Sequence, residues 1–354
     1  MLSRSCFAIL GIIGAAVTLA GCNRGGGTSA DLDLGNGYKL IATKTDEGSA
    51  TKCQTHAEDL LLKRPKVACL VGLWEYNPPA LLRAVRGSGK KVAIVAFDEN
   101  KQTLEGIKDG SIEGTVVQDP EQFGFQSIKI LAILLTKGND DFLKSIPNIT
   151  KNNSIFVEHK VVTKDGVDKF KADVDKILNQ KIDPGDQTGK PKVAFVSNNA
   201  FEFWTFAEKG AQRAAKEFGV QLIFRKPQDS SPATQRNIIQ DLISSGVKGI
   251  AVSPNEPKNA QDFFKTEVAP KIKLVMVDND LPDSSARLCY IGTHNYRAGR
   301  SAGDLVKKAI PNGGEVAIFV GQMGATNAIE RRQGVLDVLA GKDQTDMGEV
   351  TPAR

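Results

Sequence analysis

The chain has 354 residues, 41% apolar and 6% aromatic, with 46 lysines and arginines against 41 aspartates and glutamates, a net charge of +5. That length fits two domains better than one, and the apolar share is that of an ordinary globular protein. The positive surplus is small and nowhere gathered into a basic run, which argues against nucleic acid as a partner.

The first 22 residues read as a leader rather than as fold. Arg4 supplies a charged start, and Phe7 to Leu19 is an apolar run too short to span a bilayer. The run ends in Leu19-Ala20-Gly21-Cys22, which resembles a bacterial lipobox. Cys22 would then be acylated and become the first mature residue, and an ordinary secretory signal is the alternative. Residues 23–36 are a tether, Gly-rich at its start. No later run is apolar enough to cross a membrane, so contact with one is expected only through the lipid. Export implies an oxidising compartment, the periplasm. Cys53, Cys69 and Cys289 are an odd number after processing, so at most one disulfide is expected. Their spacing matches no metal site, and small buried hydrophobes are the expected role.

From Tyr38 the pattern is strand then helix, repeated. Lys39–Thr43 reads as a strand, and Ser49 caps a helix that Pro65 ends. Val67–Gly72 is a buried strand followed by the loop Leu73-Trp74-Glu75-Tyr76-Asn77. Pro78 and Pro79 sit in the first turn of the next helix, where a missing N–H is tolerated. Strands at Val92–Phe97 and Thr115–Val117 end in Asp98-Glu99 and Gln118-Asp119-Pro120, and a helix runs from about Glu121 to Leu135. A polar connection from Thr136 to Ser154 precedes a strand at Ile155–Val162 and a helix at Gly166–Asn179. Residues 180–191 are a linker by composition. Val193–Val196 is a strand that enters a helix through Ser197-Asn198-Asn199-Ala200. That helix carries Phe203, Phe206, Ala207, Gly210, Ala211 and Ala214 on one face and stops at Gly219. The alternation continues through strands at Val220–Phe224, Gly249–Val252, Leu274–Val277 and Glu315–Val320. The helices between them start at Ser231-Pro232, Asn295 and Asn327. Repeated units of this kind form parallel sheets covered on both faces, too many here for one sheet, so two doubly wound α/β lobes are expected.

Open α/β sheets bind ligands at the carboxyl edge of their strands. The residues there are Asn198, Asn199, Phe201, Trp204, Asp278, Asp280, Arg331, Trp74, Asp98 and Gln118. Carboxylates accept bonds from neighbouring hydroxyls, arginine donates several, amides do both, and aromatic faces cover C–H surfaces. The set suits a pyranose or furanose. Taken singly, an Asp after a strand is often a helix cap and a Trp is usually core, so the argument rests on the group.

Several stretches resemble the ribose-binding type of periplasmic binding protein, the sugar-binding proteins of ABC importers. They include Val196-Ser197-Asn198-Asn199-Ala200-Phe201, Val277-Asp278-Asn279-Asp280-Leu281-Pro282 and Tyr290-Ile291-Gly292-Thr293-His294-Asn295. Gly249-Ile250-Ala251-Val252-Ser253-Pro254, Ala325-Thr326-Asn327 with Glu330-Arg331-Arg332-Gln333-Gly334, Val95-Ala96-Phe97-Asp98-Glu99 and Gly114-Thr115-Val116-Val117-Gln118-Asp119-Pro120 complete the set. The resemblance covers nearly everything after Gly37. It implies two similar lobes, a hinge of several crossings and a monosaccharide held between them. It also implies delivery to an ABC permease by a monomer, with no catalysis, cofactor or metal. By position, Asn199 and Phe201 match the family's first-loop amide and stacking aromatic, and Asp278 the acid that holds hydroxyls. Arg331 matches its arginine, and Asp98 and Gln118 the acid and amide of the other lobe. Asn279 stands where an arginine is common, and Trp74 where an amide is.

The order of segments departs from the family, which begins with the part matching Lys192–Ala340 and ends with the part matching Gly37–Phe170. The chain therefore looks circularly permuted, with 181–191 joining the old ends. The implied division puts 37–118, 155–180 and 312–354 in one lobe and 119–150 and 192–311 in the other. An enzyme is disfavoured: no Gly-x-Gly-x-x-Gly follows a strand, Gly87-Ser88-Gly89-Lys90 lacks a P-loop's spacing, and the three histidines have no metal spacing. A module that presents its sugar to a receptor or sensor kinase is the alternative to import.

Overall fold

The computed structural model describes residues 31–137, 143, 146–147 and 149–344. The expected leader with Cys22, the expected tether as far as residue 30 and residues 345–354 lie outside them. The described chain opens with a hairpin, β1 (Leu32–Gly35) and β2 (Tyr38–Thr45), turned through Asn36 and Gly37 at positive φ. Strand–helix units follow: α1 (Ala50–Lys63), β3 (Val67–Gly72), α2 (Asn77–Ser88), β4 (Ala93–Phe97), α3 (Lys101–Asp109), β5 (Gly114–Val117) and α4 (Pro120–Lys137). The Ser49 hydroxyl accepts from the Lys52 amide at 3.3 Å and the Asn100 amide oxygen from the Gln102 amide at 2.9 Å. Side-chain caps of this kind satisfy donors that a helix start leaves open.

Next come β6 (Ser154–Val157), β7 (Lys160–Thr163), α5 (Val167–Leu178), β8 (Lys192–Val196), α6 (Phe203–Phe218), β9 (Gln221–Arg225), α7 (Pro232–Ser244) and β10 (Gly249–Val252). The chain closes with α8 (Pro257–Phe263), continued by a π turn at Phe264–Val268, then β11 (Lys273–Val277), β12 (Cys289–Thr293), α9 (Asn295–Ala309), β13 (Gly314–Val320) and α10 (Thr326–Leu339). The sequence reading did not include β1, α3, the helix at 257–268 or a strand at β12. None of the helices among the described residues is long and apolar enough to cross a membrane.

The strands form a seven-stranded sheet, β1-β2-β13-β3-β4-β5-β7, and a six-stranded one, β6-β12-β11-β10-β8-β9. In the first, β1 and β7 run antiparallel at the two edges and the rest are parallel. The second is parallel throughout. Each sheet is covered on both faces. On the first, Leu61, Leu81 and Ile107 pack beneath one face, and Ala302, Val306 and Val335 beneath the other. On the second, Phe123, Leu131 and Ala211 cover one face and Ile239, Leu242 and Phe263 the other. Two-sided burial explains why β3 and β4 read as unbroken apolar runs.

The chain passes between the sheets at Gln118-Asp119, at Glu158-His159 and at His294, and again through the linker 180–191. The single strand expected at Ile155–Val162 is thus two: Ser154–Val157 pairs with β12, and Lys160–Thr163 pairs with β5. A period-two pattern fixes which face each side chain takes but not which sheet the strand joins, so the two-residue step left no mark. Likewise, the implied division put Asn295–Ile310 with the second lobe, whereas α9 packs on α10 and on β3, β4 and β5. Its small residues face α10: a Cβ on Gly299 would lie 2.1 Å from the Arg331 carbonyl oxygen. All three cysteines among the described residues are unpaired and buried, so the possible disulfide is absent there and their role is packing. Burial pushes each thiol up to about 12.

Candidate ligand-binding site

The carboxyl edges of the two sheets face one cleft. From the seven-stranded side come Trp74, Glu75 and Tyr76 after β3, Asp98 after β4, Gln118 after β5, and Asn327 and Arg331 on α10. From the six-stranded side come Asn198, Asn199 and Phe201 after β8, Phe203 and Trp204 on α6, and Asp278 and Asn279 after β11.

Two aspartates occupy matching places. Asp98 and Asp278 each follow the last residue of a parallel strand, and each takes a left-handed backbone, at φ 64° and 62°. Non-glycine residues rarely adopt this region, and Asp and Asn do so more often than most. Each bend is held from outside. The Asp98 carbonyl accepts from Thr115 Oγ1 at 2.8 Å, and the Asp278 carbonyl from the Tyr290 hydroxyl at 2.8 Å. The side chains then turn into the cleft, where Gln118 Nε2 donates to Asp98 Oδ1 at 2.9 Å and Asn279 Nδ2 to Asp278 Oδ2 at 3.2 Å. Backbone strain of this sort persists where surrounding structure enforces it, commonly at functional sites.

Arg331 is the positive counterpart. It is 2% exposed and its guanidinium lies 4.6 Å from the Phe97 ring centre. Nε donates to Asn295 Oδ1 at 2.9 Å and Nη1 to the Leu73 carbonyl at 3.0 Å, while Nη2 is buried without a partner. Burial raises the Asp278 carboxyl to about 6, against a downward pull from Arg331 and with a further push from Asp98. Asp98 is raised too, by burial, with Arg331 and Gln118 opposing. Glu75, which accepts from Asn100 Nδ2 at 3.0 Å, is pushed up to about 7 by burial and by the neighbouring Asp98 and Glu202. Arg331 thus serves more than one carboxyl, and its free N–H points to a further acceptor. Trp74 Nε1, Gln118 Oε1, Asn279 Oδ1 and Asn327 Oδ1 are also buried and unpartnered. Buried polar atoms normally find partners, and here five such atoms belong to residues lining one cleft.

The aromatic residues give the cleft flat walls. Trp74 rests on Gly321, where a Cβ would come within 2.1 Å of the indole. Asn198 Oδ1 accepts from Trp204 Nε1 at 3.0 Å and from Asn199 Nδ2 at 2.8 Å, and Asn199 Oδ1 accepts from the Phe201 amide at 2.9 Å. The carboxamide of Asn199 is therefore spent on shaping its own loop.

Of the ten residues singled out from the sequence, the structure brings nine to this cleft and leaves one outside. Asp280 forms a two-pronged pair with Arg287, both contacts at 2.6 Å, and does not line it. Arg287 also donates to the Asn152 carbonyl at 2.8 Å, so this pair ties a loop rather than a ligand. Glu75, Tyr76, Phe203, Asn279 and Asn327 line the cleft and were not in the sequence set. The rule that found Trp74 covers Glu75 and Tyr76, since all three lie in one loop after β3. Among the described residues no group of three or more His, Cys, Asp or Glu is placed to hold a metal ion.

Comparison with known proteins places the chain among periplasmic binding proteins. A D-ribose/D-allose-binding protein of Pseudomonas aeruginosa is 28% identical over 159 residues, 42% of this chain and 50% of that one. A ribose import binding protein of Bacillus subtilis is 29% identical over 125 residues, 33% of this chain and 38% of that one. The chain thus spans about half the length, or less, of the curated relatives it matches. Among solved structures, a solute-binding protein of Burkholderia graminis in complex with D-arabinose is 40% identical over 44% of this chain and 53% of that one, with a TM-score of 0.41. The family described as "Periplasmic binding protein domain" matches residues 19–140 and 193–352. Most of the chain is covered by that match, and with its two parallel-sheet α/β lobes the protein belongs to the periplasmic binding protein family, in the type I fold.

Proposed function

We propose that the protein is an extracytoplasmic solute-binding lipoprotein that holds a monosaccharide between its lobes and delivers it to an ABC importer. The observation that carries this reading is the convergence of both sheet edges on one cleft, with Asp98 and Asp278 on opposite sides and a free Arg331 N–H among aromatic walls. Carboxylates and arginine take sugar hydroxyls by charge-assisted bonds, and flat rings cover the C–H faces. The relatives whose names mention ribose, allose and arabinose support the ligand class. Ligand binding shifts the equilibrium between open and closed lobes because only the closed form offers both edges at once. The lobes closing as bodies are the seven-stranded and six-stranded units, each discontinuous in sequence.

The test is a thermal-shift screen of aldopentoses and aldohexoses, since a ligand that binds only the native state raises its apparent stability. At least one sugar should raise the melting temperature in a saturable way, and Asp98→Ala should weaken that sugar's binding about tenfold to a hundredfold. No response to any monosaccharide would sink the reading. The lipid anchor rests on Leu19-Ala20-Gly21-Cys22. A Cys22→Ala variant should leave the membrane fraction, and unchanged fractionation would refute it. The permuted order draws support from the closeness of the first and last described segments: Asn36 Nδ2 donates to the Leu339 carbonyl at 3.4 Å. A reordered chain, with 192–344 ahead of 31–179, should respond to the same sugar in the same assay. A reordered chain that fails to fold would count against it.

A further inference from the structure

One pair of rings crosses the cleft. Tyr76, in the seven-stranded unit, and Phe201, in the six-stranded unit, have ring centres 5.8 Å apart and planes tilted by 56°. Every other ring pair found among the described residues lies within one unit or beside His294 at a crossing. Both partners are set firmly. The Tyr76 hydroxyl donates to Asp46 Oδ1, and Asp46 is 1% exposed and also accepts from Asn77 Nδ2 at 2.8 Å and the Gly48 amide at 3.1 Å. Trp74 packs edge-on against Tyr76 at 6.2 Å. Opposite, Asn199 Oδ1 takes the Phe201 amide and fixes the loop. Phe201 is 37% exposed, which places the contact at the rim and not in the depth of the cleft.

We propose that Tyr76 and Phe201 form an aromatic latch that holds the two units together before any ligand arrives, with Asp46 as the residue that positions Tyr76. The contact is between protein groups alone, so it stabilises the closed arrangement of the empty protein. A ligand then has less of the conformational equilibrium to shift, and once inside it leaves only when the rings part. Tilted aromatic pairs of this geometry are worth about two- to tenfold in an equilibrium. The latch rests on the proposed function only for its effect on ligand release, and its effect on lobe separation does not depend on any sugar.

The experiment is small-angle X-ray scattering of the ligand-free protein with Phe201→Ala, Tyr76→Ala and Tyr76→Phe. The two alanine variants should show a larger radius of gyration than the parent. Tyr76→Phe keeps the ring and loses only the bond to Asp46, so it should lie between the parent and the alanine variants, which separates the latch from a general loss of packing. Asp46→Asn should stay nearest the parent, because the hydroxyl keeps an acceptor. With the best sugar from the screen, dissociation should be about two- to tenfold faster in Phe201→Ala. Identical ligand-free scattering for the parent and both alanine variants overturns the latch. Scattering that shifts in a protein that binds no sugar leaves the latch standing and sinks the functional reading instead.

Discussion

Replacing Arg331 with alanine is expected to cost the protein both its ligand and much of its stability. The guanidinium is buried and is the positive group that offsets the Asp98 and Asp278 carboxyls. Removing one partner of a buried ionic set costs roughly 3–5 kcal/mol, because the remaining charge stays behind unpaired. A loss of roughly 6–15 °C in melting temperature corresponds. The effect has a sign in pH. The folded Asp278 carboxyl titrates at about 6, above its ordinary value of 3.8. Between those two values the folded state therefore holds more protons than the unfolded one, and stability falls as pH rises. The penalty is absent below the unfolded value and complete above the folded one. Without Arg331 both carboxyls rise further, so the variant should lose stability more steeply than the parent from pH 5 to 7.5. Melting curves at those two pH values check this, and equal slopes for parent and variant would show that the arginine does not offset these acids.

A comparable loss is expected where α4 crosses α6. A Cβ on Gly124 would lie 1.8 Å from the Ala207 carbonyl oxygen, and one on Gly210 would lie 1.8 Å from that of Glu121. The obstacles are backbone on both sides, so no side chain can rotate away. Overpacking typically costs about 1–3 kcal/mol and sometimes more, and Gly210→Ala should fall at or beyond the upper end. Because α6 carries Phe203 and Trp204 into the cleft, sugar affinity should fall with it. Gly87→Ala is the control. It lies in α2 with nothing within 4 Å of the added carbon, and replacing a helical glycine there should stabilise by about 0.5–1 kcal/mol. A Gly210→Ala protein that melts within a degree of the parent would show that the helices can separate at little cost.

The parts of the fold that follow from local chemistry were readable in the chain. Ser49, Pro78, Ser231 and Gly219 mark helix ends through their own bonds and dihedrals, and the structure has ends there. Asp98 and Asp278 stood out because a carboxylate just after a buried strand has few other places to be. What was not readable depends on partners far along the chain. Asp280 looks like its neighbour until Arg287 is placed beside it. The step between Val157 and Lys160 has no glycine or proline, yet it changes sheets. The inner stripe of α9 announced burial, but only the tertiary structure says that α10, and not the second sheet, lies over Gly299.

The place of β13 between β2 and β3 bears on biosynthesis. The strand that joins the first sheet's halves emerges only after the entire second sheet has been made. Until then β2 and β3 have no common neighbour, and the early segment cannot close a core by itself. Folding dominated by such distant pairings is slow. The first sheet can therefore close only once β13, at Gly314–Val320, has been made.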